Sequence, residues 1–443
     1  MSCPAECREP IADPPQRVIP FLQTQLTIMS RLEHSEPTAA PETVRRAVQR
    51  DYERFAVSGP PIPLEQYLLD EYDLDMTANY GGFTLKNPWG KASGQLSMTA
   101  RQVEEDVAAG LGFVVLKTVI AQDEHGEQSM AAWAIPEARM VAEPIIGQSG
   151  EHGWTITWKG RGWWQSFEAY LQLIRDARRV ADGTGTLIVP SCKYHLPSPS
   201  EPDWRRGEYD FTTRRLLEAW QPGETPMPLE KDFSPTLAGS DRSAVQAKIL
   251  EWLRVVPKLM RESAQTSGVG EVCVGLKMFN ALFDDSFQIE MLETIHSAGT
   301  DRPDFFVYAN RLFDPQREFD GQRGVAFGGP DLSDRNLRVL DQWQTHSAGA
   351  SALPWSATGN ITTGRMAVEY LCRGATSFQL HTFFQLPADQ YAMKVGNRTQ
   401  RALHELHFHP QTGLVVWLHH LANQLGQSGR PIRLLDVSSH PKR

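Results

Sequence analysis

Phe113-Val-Val-Leu-Lys117 decides the fold prediction, because it is a short apolar run that ends in a lysine. A second run of this kind, Val272-Cys-Val-Gly-Leu-Lys277, follows later in the chain. Such runs are typical of strands buried on both faces of a parallel sheet. A lysine at the C-terminal end of a buried strand points into a site at the edge where β/α barrels have their active sites. A single lysine is also compatible with a side chain that extends from the strand end to solvent.

Six further segments have the pattern of buried strands, and helical patterns separate them. The predicted strands are 88–93, 113–119, 186–191, 227–233, 271–277, 304–310, 352–357 and 376–382. Thr99 with Gln102 predicts a capping box, and Asp284 or Asp285 a second helix start. Eight strands alternating with helices predict a (β/α)8 TIM barrel with long β/α loops. Residues 194–208 and 221–241 are rich in Pro, Ser, Gly and charge, and we expect them to be long β/α loops on the active-site face that are candidates for lids.

The first part of the chain reads as an extension of the barrel. We assign residues 1–79 to a partly helical N-terminal extension and residues 80–443 to the barrel. Val44, Val48, Tyr52 and Phe55 have helical spacing within 44–73. The extension is a candidate for capping the barrel, joining two copies in a homodimer or holding a partner.

Composition excludes several classes of function. The chain has 443 residues and a net charge of −9, which argues against nucleic acid as the main partner. No apolar run reaches the roughly 18 residues of a membrane span. The five cysteines form no CxxC pair, so we expect a reduced, cytoplasmic protein without a metal site. No GxGxxG follows a predicted strand, which argues against a nicotinamide domain.

Thr358-Gly-Asn-Ile-Thr-Thr-Gly364 carries the signature of an anion site. Gly359 lets the backbone approach a ligand, and Gly364 opens a helix whose N-terminal amides attract anions. The predicted eighth strand ends at Thr382, and the loops after strands seven and eight are the recurrent phosphate site of this barrel. Gly328-Gly329 adds another flexible backbone element. The alternative for the glycine pair alone is an ordinary structural turn.

Three stretches together resemble the dihydroorotate dehydrogenase family of FMN-dependent barrels. Leu85-Lys-Asn-Pro through Ala92-Ser-Gly94 is similar to the family's first strand, and Leu111 through Val119 is similar to its second, which carries a flavin lysine. Gly359-Asn-Ile-Thr-Thr-Gly364 through Arg373-Gly-Ala-Thr-Ser-Phe-Gln-Leu-His-Thr382 is similar to its phosphate-binding end. The likeness covers roughly residues 80–390.

The resemblance implies an FMN site. Lys117 and Lys277 would act catalytically by stabilising negative charge at the N1/O2 edge of the flavin, since reduced flavin is anionic. Asn310 would hydrogen-bond the flavin or the substrate. The other implied cofactor residues are Ala92, Ser93 and Gly94 beside the ring, and Gly328, Gly329, Gly359, Asn360 and Thr382 around the phosphate.

The catalytic base has two candidates. The family carries Cys or Ser before a proline after the fourth strand, and Ser234-Pro235 fits that pattern, so the resemblance implies Ser234. A hydroxyl is a poor base unless polar neighbours carry its proton away. Cys192 is the rival, because the adjacent Lys193 would lower the pKa of a thiol. An ordinary Ser-Pro loop is the remaining interpretation.

The residues at the positions where the family binds its substrate differ from those of the family. Lys231 stands where the family has an asparagine, and Trp158-Lys-Gly-Arg-Gly-Trp-Trp164 replaces an asparagine-rich loop. The cations of this loop would hold an anionic group and its tryptophans would stack on the substrate, although packing at a helix start explains the tryptophans equally well. The predicted substrate residues are Lys159, Arg161, Trp163, Lys231 and Asn310.

These observations predict an FMN-dependent oxidoreductase acting on a CH–CH or C=C unit of a small molecule other than dihydroorotate itself. One alternative is a dihydrouridine-synthase-like flavoenzyme, against which the acidic charge counts. The other is a degenerate flavin-binding barrel that works as a scaffold.

Overall fold

A computed structural model of the chain describes residues 32, 35–136, 140–158, 162–221, 223, 225–233, 242–319, 321–346, 353–426 and 431–439. Eight parallel strands form the centre of this described part, and two of them are interrupted. In chain order they are Trp89–Lys91, Phe113–Val115 with Val119–Ile120, Leu187–Val189 with Ser191–Lys193, Met227–Asp232, Val272–Phe279, Phe305–Asn310, Trp355–Thr358 and Ser377–Leu380. Each of them overlaps one predicted strand.

The sheet closes on itself. Strands pair in chain order, and the eighth strand pairs with the first through Gln379 opposite Gly90. Gly90 also pairs with Phe113 of the second strand, whose ring fills the space that a Cβ on Gly90 would occupy. The runs that the sequence marks as buried are buried, including all of Val272–Phe279. The predicted TIM-barrel fold is therefore confirmed.

Helices surround the barrel. After the N-terminal region they are Ala100–Ala108, Phe167–Ala181, Arg206–Trp220, Arg242–Ser267, Asp285–Ser297, Pro330–His346, Gly364–Leu371, Arg398–Phe408, Leu414–Gln424 and Leu434–Ser439. Thr99 forms the predicted capping box with Gln102, and the Asp284 side chain accepts a hydrogen bond from the Phe287 amide. None of the helices described is both long and apolar enough to cross a bilayer.

The N-terminal region is tied to the end of the chain. Its helices are Glu42–Ser58 and Leu64–Tyr72, and the Tyr52 hydroxyl donates a 2.9 Å hydrogen bond to Glu405. Strand Leu74–Asp75 pairs with Ile432–Arg433 in parallel. A hairpin of Ala78–Tyr80 and Phe83–Leu85 follows, with Tyr80 against the Phe113 and Phe305 rings of the barrel. The predicted boundary between residues 79 and 80 falls inside the first strand of this hairpin.

Two antiparallel hairpins interrupt the barrel pattern, and the sequence did not predict either. Met140–Ile146 pairs with His152–Trp158 after the second strand, and Leu312–Phe319 pairs with Gln322–Phe327 after the sixth. Of the loops predicted as lids, residues 206–208 already belong to the helix Arg206–Trp220, and residues 234–241 lie outside the described part.

Candidate active site

A cavity opens at the C-terminal ends of the barrel strands. It encloses about 1380 Å³ of empty space that includes open solvent, and small-molecule sites usually enclose roughly 300–1,000 Å³. Ten of the eleven predicted cofactor residues line it. They are Ala92, Ser93, Lys117, Lys277, Asn310, Gly328, Gly329, Gly359, Asn360 and Thr382.

Glycine backbone forms one end of this cavity. Gly329 has φ +94° and Gly359 has φ +115°, a region that residues with a Cβ avoid. A Cβ on Gly359 would lie 2.7 Å from Asn336 Nδ2, so the backbone is held tightly. Asn360 adopts φ 53°, which asparagine tolerates, and its Nδ2 donates to Ser333 Oγ at 3.0 Å. This end suits an anion that approaches the main chain closely.

Lys277 takes part in a buried polar network on the cavity floor. Its Nζ lies 3.4 Å from Glu230 Oε1 and donates to Gln379 Oε1 at 3.1 Å. Glu230 Oε2 accepts hydrogen bonds from the Tyr80 hydroxyl at 2.8 Å and from Gln379 Nε2 at 2.6 Å. Lys277 and Gln379 line the cavity, whereas Glu230 and Tyr80 lie beneath it. The network therefore fixes the ammonium of Lys277 from below.

Lys117 has a different environment. Its side chain is buried, and no carboxylate of the described residues forms an ion pair with it within 4.0 Å. Burial lowers the pKa of Lys117 to about 7, with Lys193 and Arg311 adding to the effect and Asp232 opposing it. The charge of Lys117 therefore depends on pH near neutrality.

Lys193 and Asp232 form an ion pair at the cavity wall, with 3.0 Å between Nζ and Oδ2. Lys193 also lies over the Trp133 ring, 4.7 Å from its centroid. Burial acts to raise the pKa of the Asp232 carboxyl, but Lys193 and Lys277 outweigh it and hold that pKa below its ordinary value. Asp232 is therefore ionised at neutral pH.

The described lining is cationic overall. Lys193, Lys277 and Arg311 contribute positive side chains, Lys117 adds a charge that depends on pH near neutrality, and Asp232 contributes a carboxylate. Burial holds the pKa of His381 well below its ordinary value, so that residue adds no charge at neutral pH. An anionic ligand is favoured here, because opposite charges attract strongly where water is scarce.

The remaining cofactor prediction, Gly94, does not line the cavity. A Cβ on Gly94 would overlap the His381 ring, so the glycine allows that ring to pack against the first strand's exit. Its neighbour Ser93 does line the cavity and accepts a 3.2 Å hydrogen bond from the Thr118 hydroxyl.

The predicted substrate residues are not brought together. Trp163 is buried away from the cavity, where its Nε1 donates to Ser166 O at 3.0 Å and its ring meets Tyr170 edge-on. This is the helix-start packing that the sequence left open. Lys231 does not line the cavity either, because successive strand residues face opposite sides and Asp232 faces inward. Lys159 and Arg161 lie outside the described residues, whereas Asn310 lines the cavity.

Of the two candidates for the catalytic base, the structure describes only one. Ser234 lies outside the described residues. Cys192 is buried and does not line the cavity, and burial raises the pKa of its thiol despite the cations nearby. Lys193 does act to lower the pKa of the Cys192 thiol, as expected, but burial raises that pKa by more, so the thiol is not activated.

The sequence did not predict the hairpin residues that line the cavity. Trp154 and Thr157 come from the first hairpin, and Phe319 comes from the second. The hairpins are linked by an ion pair of 3.3 Å between Arg317 and Glu143. The cations that the sequence did not assign to the site have weak signals: Arg311 directly follows the predicted Asn310, and Lys193 directly follows Cys192.

Comparisons with known proteins bear on the fold. No family model and no curated protein matches the sequence. Among solved structures, the chain is similar to the dihydroorotate dehydrogenase from Eimeria tenella in complex with ferulenol, with a TM-score of 0.56 and 12% identity. The likeness covers 91% of this chain and 96% of that chain. The chain therefore has the barrel fold of a dihydroorotate dehydrogenase, with a sequence that differs from that enzyme at most positions.

Proposed function

We propose that this chain is an FMN-dependent oxidoreductase acting on a CH–CH or C=C unit of a small molecule. The observation that carries the proposal is that ten of the eleven residues implied as cofactor ligands line one cationic cavity. The fold shared with a dihydroorotate dehydrogenase supports it.

The residues present fit FMN. Backbone at Gly329 and Gly359 would hold a single phosphate, since positive φ at both positions exposes main-chain groups that a Cβ would cover. Lys117 and Lys277 would lie at the N1 edge of the ring, where negative charge develops on reduction. Bound FMN would supply a two-electron acceptor for the hydride of the substrate.

The chain's own residues would stabilise charge, exclude water and move the proton. Lys277, fixed by Glu230 and Gln379, would stabilise negative charge without reorientation during the reaction. The two hairpins would cover the bound substrate and exclude water. Ser234 stays the predicted group that moves the proton on the carbon next to the hydride donor.

We propose a substrate that is anionic and differs from dihydroorotate. Arg311 adds positive charge to the cavity beyond the two flavin lysines, and Lys193 adds a cation that is paired with Asp232. On the fourth strand the side chain that lines the cavity is the carboxylate of Asp232, whereas Lys231, which stands where the family has an asparagine, does not line it. A site that reads a ligand by hydrogen bonds rejects one whose groups cannot pair with it, often by several kcal/mol.

The first experiment identifies the chromophore. Purified protein should show flavin absorbance, and heat extraction should release FMN and neither FAD nor NAD. A colourless protein that also fails to bind added FMN at micromolar concentration would disprove the proposal.

The second experiment tests the substrate. In stopped-flow mixing, sub-millimolar dihydroorotate should leave the flavin oxidised over seconds. The same measurement on an Arg161→Ala variant should show weaker binding of the true substrate once that substrate is known. Rapid bleaching by dihydroorotate would make this an ordinary dihydroorotate dehydrogenase with unusual loops.

We further propose a cytoplasmic protein whose partner is a small molecule and not a nucleic acid. The three described cysteines are buried free thiols, which suits a reducing compartment. The predicted homodimer can be tested by sedimentation of the purified protein.

A further inference from the structure

Two buried side chains hold the glycine turn at Gly359 from beneath. Asn336 and Tyr370 come from two different helices, and both are fully buried and do not line the cavity. Asn336 Nδ2 donates to Thr358 O at 3.0 Å, and the Tyr370 hydroxyl donates to Gly359 O at 3.0 Å. Two consecutive carbonyls of the turn are therefore directed away from the cavity.

The direction of these carbonyls fixes the direction of the amides that follow them. In a trans peptide the C=O and the N–H lie in one plane and point in opposite directions, and both peptide bonds of the turn are trans. The Gly359 amide is thus opposite to the Thr358 carbonyl, and the Asn360 amide is opposite to the Gly359 carbonyl. Within the described part of the chain, neither amide donates a hydrogen bond to another residue. Since Gly359 and Asn360 both line the cavity, two adjacent donors face it.

Asn336 and Tyr370 are themselves fixed by hydrogen bonds. Asn336 Oδ1 accepts from Asn280 Nδ2 at 3.0 Å, and the same nitrogen donates to Asn310 O at 2.8 Å. Asn336 Nδ2 also donates to the Tyr370 hydroxyl at 3.2 Å, which leaves the proton of that hydroxyl for Gly359 O. Burial raises the pKa of Tyr370 above its ordinary value, so this hydroxyl keeps its proton at neutral pH. A reversed Asn336 amide would face a carbonyl oxygen with another oxygen, so only one orientation satisfies the network.

We propose that Asn336 and Tyr370 are positioning residues that keep the two amides of the glycine turn directed at the phosphate of FMN. This inference rests on the proposed function. The two side chains act only through the turn that they hold. Without them, the carbonyls of the turn would lose their buried partners, and rotation of either peptide plane would present an oxygen to the anion in place of an N–H donor.

The test compares FMN with riboflavin, which has the same ring system but no phosphate. Flavin fluorescence quenching gives the Kd of both ligands for the wild type and for Tyr370→Phe, which keeps the buried ring and removes only the hydroxyl. The wild type should bind FMN more tightly than riboflavin. Tyr370→Phe should bind FMN on the order of tenfold more weakly, as expected for loss of one charge-assisted hydrogen bond, and riboflavin within about twofold of the wild type.

A purely structural role of the network would lower the affinity for both ligands alike, because the whole cavity would be disturbed. Equal weakening of FMN and riboflavin would therefore overturn the inference, and so would an unchanged affinity for FMN. A wild type that binds the two ligands equally well would refute the phosphate contact and leave flavin binding intact. A wild type that binds neither ligand would overturn both the inference and the proposed function.

Tyr209→Phe is the matched control. Tyr209 is also fully buried, its hydroxyl donates to His195 O at 2.7 Å, and it does not line the cavity. Its removal deletes a hydrogen bond of the same kind after the third strand instead of the seventh, so the Kd of both ligands should stay at the wild-type value. If Tyr209→Phe lost as much preference for FMN as Tyr370→Phe, the effect would not belong to the glycine turn and the inference would fall.

Asn336→Leu is the second variant, because it removes the donor to Thr358 O at nearly constant volume. It leaves a buried carbonyl without a partner and should also lower stability in urea unfolding. The ³¹P resonance of bound FMN, measured at saturating ligand, should move away from its wild-type position in this variant and in Tyr370→Phe. An unchanged resonance would mean that the donors around the phosphate have not moved, contrary to the inference. Where Asn336→Leu does not fold, Tyr370→Phe decides the question alone.

Discussion

Gly359→Ala tests whether the glycine end of the cavity holds a phosphate. Gly359 has φ +115°, and a Cβ there would lie 2.7 Å from Asn336 Nδ2. That amide donates to Thr358 O at 3.0 Å and to the Tyr370 hydroxyl at 3.2 Å. The new methyl group must therefore displace either the turn or Asn336.

The expected magnitude has two parts. Positive φ costs a residue with a Cβ about 1–2 kcal/mol, and a buried hydrogen bond lost at Asn336 costs about 1–3 kcal/mol. We expect a fall of about 2–5 kcal/mol in the free energy of unfolding. One charge-assisted hydrogen bond lost to the phosphate is worth about 1.5–3 kcal/mol, so FMN should bind on the order of 10- to 100-fold more weakly.

Gly268→Ala is the matched control for this prediction. Gly268 also has positive φ, at +64°, but nothing lies within 4 Å of the added Cβ and it does not line the cavity. Urea unfolding and FMN titration of both variants separate backbone strain from loss of the site. If Gly359→Ala binds FMN as tightly as Gly268→Ala does, the phosphate assignment is wrong.

Three further predictions concern single side chains. Lys277→Ala should slow flavin reduction and weaken FMN binding, whereas unchanged values would mean that Lys277 has no electrostatic role. Ser234→Ala should slow the substrate half-reaction on the order of 10²-fold, and Cys192→Ala should not; the reverse result would exchange their roles. Burial lowers the pKa of Lys117 from 10.5 to about 7, so the unfolded chain binds more protons in that window and stability should rise with pH there. Lys117→Met should flatten that rise in urea midpoints of FMN-free protein, and an unchanged slope would contradict the burial argument.

The barrel was predictable because its strands are buried on both faces. Residues 113–116 and 272–276 are continuous apolar runs, and the lysines that directly follow them, Lys117 and Lys277, lie at the end of the sheet where such barrels have their sites. The glycine turn at Gly359 was equally predictable from the sequence, because few residues other than glycine adopt its backbone conformation.

The two hairpins were not predictable in the same way. Met140–Ile146 is only partly buried along its length, so its apolar residues give no clear period. The ion pair of Glu143 with Arg317 joins this hairpin to the second one, a contact between distant parts of the sequence that no local pattern reports.

Residues 230–232 show most clearly what the sequence alone does not predict. Glu230, Lys231 and Asp232 are three consecutive charged residues, and the sequence does not say which of them face the barrel interior. A shift of one residue exchanges the two faces of a strand. The family comparison selected Lys231, whereas the structure turns Glu230 and Asp232 inward.

The pairing of Leu74–Asp75 with Ile432–Arg433 has a consequence for biosynthesis. The helices Glu42–Ser58 and Leu64–Tyr72 leave the ribosome before the barrel strands, yet their contacts with Glu405 and with Tyr72's partner His419 can form only after all eight strands have been made. Their apolar faces stay exposed to solvent while the whole barrel is synthesised. Exposed apolar surface favours aggregation or chaperone binding during this interval. A ribosome that stalls after the eighth strand would therefore carry a nearly complete barrel with these two helices still undocked.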